Sequence, residues 1–224
     1  MSRRIKIAPS LLAADLAHIG EQMSRVYADG ADMVHVDVMD GHFAPNLTFG
    51  PAIVAALDRC CEIPISTHLM VTSPEEFIEP FIEAGSNDLF FHIETPGDHI
   101  KLARRIKGLG ARPGVVLEMD TPAERVAHLA GEIGILLVMT VRCGYTGQKF
   151  HPGPIEKIPA LRETFGDEVD IAVDGGVSVE NAGAIGAAGA NVLVAGKGVF
   201  WTNDPAKAMQ DLRSACEAGL TRRE

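Results

Sequence analysis

Eight short β-branched runs alternate with eight longer amphipathic segments from one end of the chain to the other. The runs are IKIAPS, MVHVDV, IPISTHLM, DLFFHIE, RPGVVLE, ILLVMTV, VDIAVDGG and NVLVAG. The segments between them begin near Asp15, Gly50, Pro74, Gly97, Thr121, Pro154, Ser178 and Asp204. Strict βα alternation implies a parallel sheet, because successive parallel strands need a crossover connection. Eight units favour a closed (β/α)8 TIM barrel over an open doubly wound sheet, and no G-x-G-x-x-G follows the first run to suggest a dinucleotide fold. Ser73-Pro74-Glu75-Glu76 supplies a helix cap, a proline at the first position and first-turn acids, and Asn203-Asp204-Pro205 does likewise. Gly30, Gly85, Gly110 and Gly189 fall where the first, third, fourth and seventh helices should end. With no linker-like or low-complexity stretch, residues 1–224 read as one domain.

Composition narrows the partners. The formal net charge of −10 argues against nucleic acid or an anionic membrane surface, but it does not decide whether a small substrate is anionic. Cys60, Cys61, Cys143 and Cys216 form no C-x-x-C, so reduced thiols in a cytoplasmic protein are expected. Arg3, Arg4 and Lys6 precede an apolar stretch, but Pro9 and Asp15 interrupt it before it resembles a signal peptide. The longest uncharged run, Asn181 to Gly196, is rich in glycine and too short to span a bilayer.

Side chains alternate between the two faces of a strand, and in a barrel one face meets the helices while the other fills the interior. In VHVDVM, Val34, Val36 and Val38 suit the helix side, which turns His35, Asp37 and Met39 inward toward the C-terminal mouth where barrel active sites lie. The third run places Ser66, His68 and Met70 on one parity, the sixth places Met139 there, and the seventh ends in Asp174 before Gly175-Gly176. Two imidazoles and two carboxylates, His35, Asp37, His68 and Asp174, suit one divalent ion such as zinc, iron(II), manganese or cobalt. A single inward histidine is more often a hydrogen-bonded core residue. Four such groups at one end of the barrel favour the metal, which also offsets the cost of burying a carboxylate. Met39, Met70 and Met139 taken alone are core filler.

Three glycine-containing turns follow the last three strands: Cys143-Gly144-Tyr145-Thr146-Gly147-Gln148, Asp174-Gly175-Gly176-Val177-Ser178 and Ala195-Gly196-Lys197-Gly198. Barrels often hold a phosphate with backbone N–H groups at the loops after strands seven and eight. One glycine pair is weak evidence because turns need glycine anyway; three at one face favour a phosphorylated substrate. Lys197 either adds a point charge to that phosphate or is simply solvated.

IAPSLLAADLAHIG, HVDVMDGHFAPNLTFGP, the HLM of STHLMV, GYTGQKF and VDGGV together resemble the ribulose-phosphate 3-epimerase family along nearly the whole chain. The resemblance implies a (β/α)8 barrel that epimerises C3 of a phosphorylated ketose, D-ribulose 5-phosphate to D-xylulose 5-phosphate, through an enediolate and with one divalent metal per subunit. Carried over by position, it implies His35, Asp37, His68 and Asp174 as metal ligands, with Asp37 and Asp174 also the acid/base pair. Ser10, His68, Met39, Met70 and Met139 would line the substrate pocket. Gly144, Gly147, Gly175, Gly176 and Gly196 would surround the phosphate, with Gln148 in a mobile loop and Lys197 beside it. A homo-oligomer is also implied. Inversion needs two carboxylates on opposite sides of a planar intermediate, in different protonation states at the start, so their pKa values should be coupled.

The chain departs from the family pattern at the mouth: Arg142-Cys143 and Thr146 in the sixth loop, Glu118-Met119 after the fifth strand, and Lys197 after Gly196. These positions touch the choice of sugar rather than the metal chemistry, which keeps a related phosphoketose such as D-allulose 6-phosphate as an alternative substrate. A metal-dependent aldolase on the same scaffold is disfavoured because no third histidine clusters on neighbouring strand ends. A non-catalytic sugar-phosphate-binding paralogue is disfavoured by the intact Asp37/Asp174 pair.

Overall fold

Each β-branched run is a strand in the computed structural model, which describes residues 4–60 and 62–221; Arg3 and Cys61 lie outside the described residues. The strands are β1 (Lys6–Pro9), β2 (Val34–Met39), β3 (Ile65–Met70), β4 (Asp88–His92), β5 (Arg112–Leu117), β6 (Ile135–Met139), β7 (Asp170–Asp174) and β8 (Val192–Ala195). All neighbouring pairs are parallel, in the order β1-β8-β7-β6-β5-β4-β3-β2. A parallel bridge between Ser10 and His35 brings the two ends of that order together into a (β/α)8 barrel. The helices are α1 (Ile19–Ala28), α2 (Pro51–Cys60), α3 (Ile78–Glu83), α4 (His99–Gly108), α5 (Ile158–Phe165), α6 (Val179–Ala188), α7 (Lys197–Phe200) and α8 (Pro205–Thr221). The corner glycines Gly30, Gly85, Gly110 and Gly189 have φ of +96°, +113°, +94° and +113°, a left-handed turn that returns the chain from helix to strand.

Two helical expectations are modified. The segment after β5 forms a 3₁₀ helix at Ala123–Leu129 rather than an α-helix. Its two buried residues, Val126 and Leu129, are three apart, and a threefold turn lays such a pair on one face. After β8 the chain makes an additional short helix, α7, before α8.

The period-two pattern separates two cores. Val34, Val36 and Val38 join the layer between barrel and helices, while Ala8, Phe90, Val116, Leu137, Met139, Ala172 and Val194 fill the interior. The Phe90 ring crosses to β5, where its registered partner is Gly114; a Cβ at that position would lie 2.4 Å from the ring. At the N-terminal floor, Arg112 makes paired 2.7 Å hydrogen bonds to Asp88 and one of 2.6 Å to Asp170, which also accepts from Lys6 and Asn191.

Asp32 supports the junction of β1 and β2 from below. The Ile7 N–H donates to Asp32 Oδ2 at 2.9 Å, the Asp32 N–H donates to the Ile7 carbonyl at 3.0 Å, and Arg4 and Arg213 pair with the same carboxylate. Asp32→Ala strands the Ile7 N–H and is expected to lower the free energy of unfolding by about 1–3 kcal/mol. Urea denaturation measures this, and an unshifted midpoint would contradict the role.

Candidate active site

The register of β2 against β3 sets Asp37 opposite His68 and Met39 opposite Met70, and that of β6 against β7 sets Met139 opposite Asp174. Strand pairing thus brings residues far apart in sequence to one level of the barrel. One donor atom from each of His35, Asp37, His68 and Asp174 lies within 4.8 Å of the other three. Asp37 Oδ1 is 3.4 Å from His35 Nε2 and 3.2 Å from His68 Nδ1, while its Oδ2 accepts a 2.8 Å hydrogen bond from Ser10 Oγ. His35 Nδ1 is 3.2 Å from Ser66 Oγ. His35 Nε2 is buried with no hydrogen-bond partner, an arrangement that costs free energy unless something accepts its lone pair.

This donor set fits a divalent ion. Nitrogen and oxygen ligands about 2.1 Å from one tetrahedral centre lie roughly 3.4 Å apart, close to the spacings around Asp37. The electrostatics match the same use. Burial alone would raise the Asp37 carboxyl, but the His35 and His68 imidazoles outweigh it and hold that group far below the usual carboxylate range. Asp174 is pushed up to about 7, first by burial and then by the charge on Asp37. His68 falls to about 4, chiefly through burial. His35 also bears the cost of burial, but Asp37 outweighs it and raises the imidazole. The two carboxylates are therefore biased in opposite directions, Asp37 toward its ionised form and Asp174 toward its protonated one.

Above these residues opens a cavity of about 710 Å³. Ser10, Asp37, Met39, Met70, Met139, Gly144, Gly147, Gln148, Asp174, Gly175, Gly176, Gly196 and Lys197 all line it. His35 and His68 are fully buried and are not among its lining residues. Gly176 has φ +65°, and a Cβ there would lie 2.5 Å from the Phe150 backbone nitrogen, so only glycine lets the β6 and β7 loops approach this closely. The Gln148 side chain turns back onto its own loop, donating to the Arg142 and Tyr145 carbonyls. Tyr145 Oη donates to the Pro45 carbonyl, and Asn46 donates to the Gly144 carbonyl, tying this loop to the one after β2. Lys197 Nζ lies 5.6 Å from the centre of the Trp201 ring. Ser178, the last residue of the glycine turn after β7, also lines the cavity, as do Asn181 and Trp201, which no sequence motif marks. A lone tryptophan was the available signal for Trp201, while Asn181 looks like an ordinary helix-start residue.

The sequence matches the Ribulose-phosphate 3 epimerase family over residues 6–200. This chain belongs to the ribulose-phosphate 3-epimerase family. It is 41% identical over 216 residues to the ribulose-phosphate 3-epimerase, cytoplasmic isoform, of Oryza sativa subsp. japonica, covering 95% of this chain and 94% of that protein. It is 39% identical to the ribulose-phosphate 3-epimerase of Bacillus subtilis, covering 94% and 99% of the two chains. The corresponding protein of Rhodobacter capsulatus is 44% identical over 200 residues, covering 88% of this chain and 87% of that one. Among solved structures, KGPDC from Streptococcus mutans superposes with a TM-score of 0.71 at 14% identity, covering 96% of this chain and 98% of that one. The 3-hexulose-6-phosphate synthase from Salmonella typhimurium gives 0.69 at 19% identity, covering 98% and 100%. At those identities the likeness concerns the barrel alone. No helix among the described residues is long and apolar enough to cross a membrane.

Proposed function

We propose that this family member inverts C3 of a phosphorylated ketose, converting D-ribulose 5-phosphate to D-xylulose 5-phosphate, with Asp37 and Asp174 as the acid/base pair. The observation that carries this reading is two carboxylates of opposite protonation bias, a buried one on β2 and a half-buried one on β7, at the base of one cavity. The ionised carboxylate takes the C3 proton from one face, and the protonated one delivers a proton to the other; the reverse reaction exchanges their roles. A divalent ion held by His35, Asp37, His68 and Asp174 would supply Lewis-acid stabilisation of the charge that develops on the substrate oxygens. Met39, Met70 and Met139 exclude water and offer no competing proton donor. The glycine turns at Gly144, Gly147, Gly175, Gly176 and Gly196 allow backbone approach to the phosphate, and Lys197 adds charge at that end.

Incubating the metal-loaded protein with D-ribulose 5-phosphate in D₂O should place solvent deuterium at C3 with inversion and no fragmentation. D-allulose 6-phosphate run in parallel tests the altered mouth, where Glu118, Arg142, Cys143, Thr146 and Lys197 stand. Fragments would indicate an aldolase, and no exchange with either sugar would remove both substrates.

Metal affinity should also depend on pH. Below about 7 the metal-free protein keeps a proton on Asp174, and an ion must displace it. Release of that proton should make affinity rise by up to about tenfold per pH unit below about 7, and the raised His35 imidazole adds to the slope while it is protonated. Chelator competition across pH 5.5–8.5 measures the slope; a flat profile would contradict Asp174 as a ligand.

A further inference from the structure

His92 ends β4, points into the barrel and is fully buried. Its Nε2 lies 2.8 Å from His68 Nε2, with the two rings stacked at 5.0 Å and 23°, and its Nδ1 lies 3.1 Å from Glu94 Oε2. Glu94 is itself anchored: its Oε1 accepts the Glu118 N–H at 3.0 Å and the Thr121 hydroxyl. If His68 Nδ1, which faces Asp37, gives its lone pair to an ion, the remaining proton of that ring sits on Nε2. His92 Nε2 must then accept, so its own proton sits on Nδ1 and is donated to Glu94, which can only accept. One proton arrangement satisfies every link in the chain. His35 has no comparable support, since its Nδ1 meets only the Ser66 hydroxyl.

We infer that His92 and Glu94 are positioning residues for the metal centre, locking His68 in the Nε2–H tautomer and raising the basicity of its Nδ1 through a two-imidazole relay that ends in a carboxylate. The inference rests on the reading of His35, Asp37, His68 and Asp174 as a metal site. A hydrogen-bonded carboxylate or carbonyl behind a ligating histidine commonly contributes 10–100-fold to metal affinity; here that influence is carried across a second ring. The Phe43 ring, 4.5 Å from His92, packs on the relay and keeps it dry. A purely packing role for His92 would make an apolar replacement harmless to metal binding, and this separates the two roles.

The test is titration of the metal-depleted protein with Co²⁺, followed by its visible d–d absorption and by chelator competition. His92→Leu should weaken Co²⁺ binding by about 10–100-fold and alter the d–d bands. His92→Gln, whose side-chain oxygen can still accept from His68, should recover most of the affinity. Glu94→Gln, on a partly exposed side chain, should cost roughly tenfold. A folded His92→Leu protein that binds Co²⁺ as tightly as the parent, with the same spectrum, overturns the relay while leaving the four-residue site intact. Failure of the parent chain to bind one Co²⁺ overturns both. Should His92→Leu not fold, unchanged affinity in Glu94→Gln overturns the relay.

Discussion

Replacing Asp174 by asparagine should lower turnover of D-ribulose 5-phosphate by about 10²–10⁴-fold, the range expected when a positioned acid or base is lost. Asparagine keeps the shape of the side chain but neither accepts the C3 proton nor returns one. The same loss is expected for Asp37→Asn, where Ser10 and both site histidines lose their charged partner. The two variants should differ in what survives. With Asp174 gone, Asp37 can still remove a proton from one epimer and return solvent deuterium to the same face, giving exchange without inversion. With Asp37 gone, any residual exchange should appear in the other epimer. Measuring C3 deuterium in each epimer separately, beside metal content, distinguishes a lost base from a lost ligand. Near-normal turnover in either variant would rule out the two-carboxylate mechanism.

The largest loss of stability should come from the floor of the barrel. Arg112 bonds Asp88 through two nitrogens and Asp170 through a third, and all three side chains are largely withdrawn from water. Arg112→Ala leaves Asp88 buried without its cation and removes one of two cations from Asp170. Breaking such a network from one side costs about 3–5 kcal/mol, and at roughly 2–4 °C per kcal/mol the melting temperature should fall by about 6–20 °C. Arg112→Lys keeps the charge without the planar fork and should lose less. The acid limb carries a second signature. Burial works to raise the Asp170 carboxyl, but Lys6, Arg112 and Asn191 together hold it below its ordinary value of 3.8. Its contribution to stability is therefore present above about pH 4 and disappears as the pH falls through the lower folded-state value. Arg112→Ala should flatten that part of the pH–stability curve, and an unchanged slope would assign the acid sensitivity elsewhere.

The alternation of valines with His35, Asp37 and Met39 was enough to separate the inner face of β2 from the outer, because a strand has a period of two whatever its surroundings. The same parity exposed His68, and the end of the seventh run exposed Asp174. Parity does not give height along the barrel axis. That depends on strand register, so DLFFHIE does not show that His92, of the same inward parity as Phe90, stands beside His68; the structure overturns the expectation that no third histidine clusters on a neighbouring strand end. Lys6, Asp88, Arg112 and Asp170 were hidden differently. Each stands at the start of its strand, where a charge is expected in any loop, and only closure of the barrel turns four boundary charges into one network. The 3₁₀ segment after β5 was unreadable for a local reason: buried residues three apart satisfy a three-residue and a 3.6-residue period equally well over so short a stretch.

The bridge between Ser10 and His35 has a consequence for the order of assembly. β1 pairs with β8, Lys6 opposite Val192, so its docking closes a loop that spans most of the polypeptide. Such long-range pairings are slow because loop entropy is lost before contacts compensate it. A chain with β2 to β8 assembled and β1 still undocked already carries all four candidate metal donors, on β2, β3 and β7. What it lacks is Ser10, whose hydroxyl reaches Asp37 only once the first strand arrives. Closure by the first strand brings β2 and β8 round to one ring, and with it the candidate donors on β2, β3 and β7 share one interior. The Ser10–Asp37 hydrogen bond is therefore a contact that only the closed barrel can make, and it ties closure of the ring to the site itself.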